Sequence, residues 1–322
     1  MTSAPQRPRI VVVGSTNTDL VTRVAHIPAP GETILGGDLE IVAGGKGANQ
    51  AVAAARLGGD VTFVARVGDD AFGQTAMAGF AREGLNTDYV TVTPGVASGV
   101  ALIAVSETTG ENSIVVAPGA NARLSPEDVD AARAAFDGAR AVVISLEVPL
   151  ETVARAVGAA HARKIPVIIN PAPARRLPPD LLAKVSVLTP NESEALLLVG
   201  RAAHADEEAS EPDVASLATE LLATGVGVVV VTLGASGALV ATPDGIEHIP
   251  TVPVQAVDTV AAGDCFTGAL AVELASGRAL RDAVRFATAA AALSVTRRGA
   301  QPALPTRAEV TAFLTSRDRQ SA

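Results

Sequence analysis

The chain is predicted to be α/β, a doubly wound and mostly parallel sheet with helices on both faces plus a small β-sheet lid, and three features of its 322 residues predict this. Short apolar runs recur, each ending in glycine or polar residues and most leading into a stretch with helical periodicity, which is the signature of βα units. Two strand-like stretches, the first broken by several glycines and prolines, interrupt that rhythm, which predicts a separate small sheet. Neither an internal repeat nor a linker divides the sequence. A single domain over residues 1–322 is therefore expected, with the lid formed from about 18–42 and 97–117.

Composition narrows the function classes. Hydrophobic residues make up 48% and charged residues 18%, as in a globular protein. Polar residues with two prolines open the sequence, and no apolar run approaches about 18 residues, so neither a signal peptide nor a membrane span is expected. A cytoplasmic protein follows. The formal charge of −9 argues against nucleic acid as a partner. Aromatic residues are only 2%, with no Trp, which argues against a base-stacking platform. His26, His161, His204 and His248 lack metal-ligand spacing, and the lone Cys265 can form no internal disulfide. Packing suits that cysteine, although the helix N-terminus expected beside it would favour its thiolate.

In chain order, Arg9 to Gly14 reads as a buried first strand. Ser15 to Asp19 follows at its carboxyl end, where open α/β sheets bind ligands, so Asn17 and Asp19 either hold sugar hydroxyls or form a polar turn. Leu20 to Val42, broken by Pro28, Pro30, Gly31, Gly36 and Gly37, reads as hairpins; Gly99 to Val105 and Asn112 to Val116 form the second such piece. Exposed edges in this sheet predict a homodimer through it.

The run Ala43-Gly44-Gly45-Lys46-Gly47-Ala48-Asn49-Gln50 opens a helix expected over Ala51 to Leu57. It is not a Walker A loop, because Glu40 and Gly47 stand where that motif needs Gly and Ser or Thr. Its glycines either admit a compact ligand, with Lys46 and Asn49 as donors, or serve only as a helix entry. Val61 to Val67 with Ala71 to Glu83, and Ala141 to Ser145 with Leu150 to Lys164, are βα units. Val167 to Asn170 is another strand, and Glu147 lies past a strand end. Strand Val185 to Leu188 leads through Thr189 to Glu194 into a helix, where the acidic residues complement the helix dipole or bind hydrated Mg²⁺ beside phosphates. Residues 201 to 213 read as a solvated helix connection. Val228 to Thr232 precedes Leu233 to Gly237, a turn that admits a nucleotide or makes a hairpin. The last helix is expected over Leu280 to Val295.

The stretch Val257 to Leu270 reads as a loop feeding a helix. Asp258 and Thr259 are good N-cap residues, and Ala261, Ala262 and Gly263 leave the first-turn N–H groups uncovered, which makes an anion site. Asp264 lies in that first turn. Ordinary capping explains the pattern, but a base beside an anion cradle also suits phosphoryl transfer.

Taken together, these segments resemble the ribokinase-like family of sugar and nucleoside kinases over nearly the whole chain. The two signatures are the Gly-Gly-Lys-Gly-Ala-Asn run at 44–49 and the Asp-Thr-Val-Ala-Ala-Gly-Asp run at 258–264, supported by Asn170 to Arg175, Thr189 to Glu192 and Val295 to Pro302. The resemblance implies transfer of the ATP γ-phosphoryl group to the 5-hydroxyl of ribose, with deoxyribose, fructose or a non-catalytic sensor as alternatives. It places Asn17, Asp19, Gly45, Lys46, Asn49 and Glu147 around the sugar and makes Asp264 the base. Asn191 and Glu194 are implied at the phosphates and Mg²⁺, and Thr232, Gly234 and Gly237 at the nucleotide. A K⁺ site is implied at Asp258 and Val260, with Ser294, Arg297, Gly299 and Ala303. Cys265, Thr267, Thr288 and Ala303 depart from the commonest family residues.

Overall fold

The computed structural model describes residues 7–201 and 213–318, so the connection read at 201 to 213 lies almost wholly outside the described residues. The strands are β1 (Arg9–Val13), β2 (Asn17–Val24), β3 (Leu39–Gly44), β4 (Asp60–Gly68), β5 (Asn86–Thr93), β6 (Gly99–Ser106), β7 (Asn112–Ala117), β8 (Ala141–Ser145), β9 (Val167–Asn170), β10 (Val187–Leu188), β11 (Val228–Thr232), β12 (Ala238–Thr242) and β13 (Gly245–Ile249). The helices are α1 (Lys46–Arg56), α2 (Ala71–Arg82), α3 (Pro126–Ala131), α4 (Arg133–Phe136), α5 (Leu150–Ala162), α6 (Pro179–Leu182), α7 (Glu192–Leu198), α8 (Val214–Leu222), α9 (Ala262–Ala275), α10 (Leu280–Ser294) and α11 (Arg307–Asp318).

The large sheet runs β13-β12-β11-β10-β9-β8-β1-β4-β5, parallel from β11 to β5 with an antiparallel hairpin at the other edge. Its central strands are continuous apolar runs because both faces are covered. One core packs α1, α9 and α10 against Ile10, Val12, Phe63 and Val143, and the other packs α5 and α8 against Val11, Val13, Val142 and Ile144. Strand order reverses between β1 and β8, and the crevice outside their carboxyl ends is where such sheets bind ligands.

The small sheet is separate, in the order β3-β2-β6-β7, with β2 antiparallel to β3 and parallel to β6. One outer edge strand, β7, is exposed along its length, and Leu39, Ile41, Leu102, Ile114, Val115 and Val116 all expose much of their side chains.

Two close approaches fix where α1 lies. A Cβ on Gly47 would stand 2.6 Å from Gly14 C and from Ser15 N, so the helix rests directly on the backbone leaving β1. A Cβ on Gly268 would meet Ala53 Cβ and Gln50 O at 2.8 Å, so α9 lies equally close on the other side. Side chains from α1 therefore reach the first turn of α9.

Helix α1 starts at Lys46, not at Ala51, so the glycine-rich run is its first turn. Gly45 makes the entry with φ +88°, and Glu147 supplies the cap by accepting from Lys46 N at 3.0 Å. Strand β10 is shorter than expected. Strand β5, strand β13 and helices α3, α4, α6, α8 and α11 were not read from the sequence.

Candidate active site

Helix α9 begins without a side-chain cap. Its N-cap residue is Ala261, held in the left-handed region at φ +60°, and not Asp258 or Thr259 as expected. The Asp258 carboxylate is engaged elsewhere: it accepts from Val260 N at 3.0 Å and Gly299 N at 2.9 Å. The Ala262 N–H makes a long bond of 3.3 Å to Thr259 O, whereas no described acceptor meets the Ala261 or Gly263 N–H. The expected row of uncovered amides is thus present in part, at an end that favours anions.

Asp264 stands in the first turn and is buried. Asn49 Nδ2 donates to Asp264 Oδ2 at 3.0 Å, and Gln50 Nε2 donates to Asp264 Oδ1 at 2.9 Å. Burial raises the pKa of Asp264 above the ordinary carboxylate range, opposed by the Lys46 charge and by the two amides. The carboxylate is held in one orientation while becoming a better base than a solvated aspartate.

The residues expected on the sugar side come together at the crevice between β1 and β8. Ser15 Oγ donates to Glu147 Oε2 at 2.5 Å, so the residues that follow β1 and β8 are joined. Asp19, on β2, lies against Gly44, where any Cβ would stand 2.1 Å from its carboxylate. Burial, with the nearby Glu147 and Asp264 charges, pushes the Asp19 pKa up to about 6, against the pull of Lys46. For Lys46, burial acts to lower the pKa, but Asp264, Glu147, Glu194 and Asp19 outweigh it and raise the value. Lys46 therefore stays charged among carboxylates. Asn49 Oδ1 and Gln50 Oε1 are buried without a protein partner, as acceptors awaiting a hydroxyl or water would be.

Two cavities meet at the start of α9. One, of about 370 Å³, is lined largely by apolar groups, including Val252, Val254, Phe266, Ala291 and Val295, with Thr232, Gly234, Gly237 and Thr288 also on its wall. The other, of about 380 Å³, is polar and carries Lys46, Asn170, Asn191, Glu194 and Asp264. Thr232, Gly234, Thr259, Ala262 and Gly263 border both. A flat apolar base fits the first cavity and phosphates fit the second, with Asp264 at the far end. The turn at 233–237 makes the hairpin between β11 and β12, in which a Cβ on Gly237 would lie 2.2 Å from Ile249 O, and it also lines the apolar cavity.

Asn191 and Glu194 form a capping box on α7, with Glu194 N donating to Asn191 Oδ1 and Asn191 N to Glu194 Oε2. Burial raises the Glu194 pKa. Among the described residues no group of three His, Cys, Asp or Glu could hold a metal by itself. One carboxylate beside a phosphate cavity fits Mg²⁺, which is usually bound through one or two carboxylates plus substrate phosphates.

Of the six residues expected at a monovalent cation, Asp258, Val260 and Gly299 are drawn together by the hydrogen bonds already described. Ser294 Oγ donates to Ala291 O and its carbonyl accepts from Arg297 N, while the Arg297 guanidinium pairs with Glu309. Ala303, in the 3-10 turn Gln301–Ala303, has no side-chain oxygen to offer.

Four residues that join this site were not assigned a role from the sequence. Ser15 and Gln50 stand beside residues that were. Asn170 Nδ2 donates to Thr189 O and its Oδ1 faces Gln50, while Asn121 reaches Thr16 and Asn17. Cys265 corrects the thiolate expectation: burial pushes its pKa up to about 12, outweighing a Ser294 hydrogen bond and the Arg56 charge, which act to lower it. Thr267 bonds Gly263 O and Thr189 Oγ1, and Thr288 bonds Val284 O while lining the apolar cavity.

The chain matches the model of the pfkB family carbohydrate kinase over residues 7–307. A ribokinase of Haemophilus influenzae is 41% identical over 308 residues, covering 96% of this chain and 99% of that one. A deoxyribokinase of Salmonella typhi is 39% identical over 297 residues, covering 92% and 95%. The structure of Arabidopsis thaliana ribokinase complexed with ribose and ATP aligns with TM-score 0.86 at 32% identity, covering 96% of this chain and 99% of that one. With the signature residues gathered around one helix terminus and a family match spanning nearly the whole fold, the chain belongs to the pfkB family of carbohydrate kinases.

Proposed function

We propose that the protein is an ATP-dependent ribokinase, transferring the γ-phosphoryl group of ATP to the 5-hydroxyl of D-ribose to give D-ribose 5-phosphate and ADP. The observation that carries this reading is the position of Asp264. It is buried, clamped by Asn49 and Gln50, and placed where a polar cavity suited to phosphates meets the crevice that holds Asp19 and Glu147. Relatives named ribokinase and a ribokinase complex with ribose and ATP support the choice of substrates.

Asn17, Asp19, Lys46 and Asn49 hold the sugar hydroxyls, with Glu147 fixing the start of α1, where Lys46 lies. Asp264 receives the hydroxyl proton as the oxygen attacks the γ-phosphorus, and ADP leaves on the opposite side. A loose transition state asks little of the base beyond placement, so a raised aspartate pKa is sufficient. The open N–H groups at the start of α9 and the Lys46 charge oppose the negative charge on the transferring group. Mg²⁺, held through Glu194 and phosphate oxygens, supplies charge neutralisation when bound. The small sheet acts as a lid that excludes water from the sugar side.

A panel of ribose, deoxyribose and fructose with ATP tests this directly. ADP release and a sugar 5-phosphate are expected with ribose at the highest kcat/KM. Preference for deoxyribose would move the assignment to the activity named for the Salmonella relative, and no ADP release with any sugar would leave a sensor.

K⁺ bound by Asp258 and the carbonyls of Val260 and Gly299 would fix the loop that ends at Ala261. Activity is therefore expected to be several-fold higher in KCl than in tetramethylammonium chloride at equal ionic strength, and equal rates would remove the site. The exposed apolar residues of the small sheet suit a homodimer formed through it. Sedimentation at micromolar concentration should show a dimer; a monomer throughout would argue against this pairing. Cytoplasmic location suits an enzyme that consumes ATP, and recovering the activity outside the soluble cell fraction would contradict it.

A further inference from the structure

We infer that Asn121 is a positioning residue that fixes Asn17 as a hydrogen-bond donor toward the sugar, so that the sugar group facing Asn17 is held as an acceptor. This rests on the ribokinase reading of the site and assigns the polarity of one wall of it. Asn121 lies in the 3-10 turn Gly119–Arg123, which follows the last strand of the small sheet. It is buried, as is Asn17.

An amide side chain presents oxygen and nitrogen in nearly the same shape, so its orientation must come from its partners. Here the partners leave one solution. Thr16 N donates to Asn121 Oδ1 at 2.9 Å, and Asn121 Nδ2 donates to Thr16 O at 3.0 Å. A backbone N–H only donates and a carbonyl only accepts, so the Asn121 amide is set. The second hydrogen on the same Nδ2 goes to Asn17 Oδ1 at 2.7 Å. With its oxygen committed, Asn17 offers its Nδ2 hydrogens, and no hydrogen bond to a described residue uses them.

A third element closes this arrangement. On β6, a Cβ at Gly99 would lie 2.2 Å from Asn121 Nδ2 and 2.3 Å from Asn17 Oδ1. Glycine thus leaves room for the bond between the two amides. Asn121 also takes the place of a strand partner for Thr16, which joins β1 of the large sheet to β2 of the small one.

The chemical consequence concerns a hydroxyl shared between Asp19 and Asn17. Its one proton goes to a carboxylate that only accepts, which leaves lone pairs for a donor. Asn17 Nδ2 fits that role, whereas a flipped amide would set oxygen against oxygen.

Asn121→Asp keeps the shape but removes both donated hydrogens. It is expected to raise KM for the sugar on the order of tenfold, with kcat within about threefold of wild type and KM for ATP unchanged. Asn121→Ala should act in the same direction. In an Asn17→Ala background neither substitution should raise the sugar KM further, because the effect passes through Asn17.

Unchanged sugar KM in both variants, or an equal loss in the Asn17→Ala background, would overturn the inference. Asn17→Asp covers the case in which neither variant folds. Asn121 can still donate to the new carboxylate, so normal melting with a raised sugar KM is expected, and an unchanged KM would overturn the donor assignment. The wild-type protein separates the two readings: if it phosphorylates no sugar, the ribokinase reading fails, whereas an active wild type with normally binding variants defeats only the role of Asn121.

Discussion

Asp264→Asn is expected to lower kcat by about a thousandfold or more, equivalent to about 4 kcal/mol of transition-state stabilisation, while ribose still binds. The substitution preserves size and removes the proposed proton acceptor. It also leaves one amide oxygen where two carboxylate oxygens now take hydrogen bonds from Asn49 and Gln50. One of those amides must then face an NH₂ group. Against that, a costly buried charge is gone, so the melting temperature should change little. Steady-state kinetics with ribose calorimetry would check both halves, and turnover near wild type would remove Asp264 from the mechanism.

Gly47→Ala is expected to destabilise the protein by about 3 kcal/mol and to abolish most activity. The added Cβ would meet backbone atoms of Gly14 and Ser15, which cannot turn aside as a flexible side chain would. Helix α1 would have to withdraw, taking Lys46, Asn49 and Gln50 away from Asp264. Gly158→Ala is the matched control, because it lies within α5 and its Cβ would meet nothing within 4 Å. That substitution should be neutral or stabilise by about 0.5–1 kcal/mol. Thermal melts of the pair provide the check, and similar melting temperatures would refute the close-approach argument.

Much of this molecule is written in local pattern. The apolar runs at Arg9 to Val13, Ala141 to Ser145 and Val228 to Thr232 identify central strands because burial on both faces leaves little room for polar residues. Strand β5 eluded that logic because Asn86-Thr87-Asp88 opens it with polar residues at the sheet edge. The start of α1 eluded it because the cap comes from Glu147, 101 residues away in sequence. Asp264, Asn49 and Lys46 were read from the signature runs, and Asn17 from the polar stretch that follows the first strand. The partners that hold Asp264 and Asn17, namely Gln50 and Asn121, depend on helices and turns brought together by the fold; Asn121 is 104 residues from Asn17.

The left-handed Ala261 has a thermodynamic consequence. A non-glycine residue in this conformation costs on the order of 1 kcal/mol, and α9 also lacks the side-chain cap that usually contributes a similar amount. Under the function proposed above, a bound phosphoryl group would supply the missing cap, so substrate would complete an element of secondary structure as well as fill a site. Binding and the stability of α9 are then linked: each gains from the other, and the helix is firmest when the group it must transfer is in place.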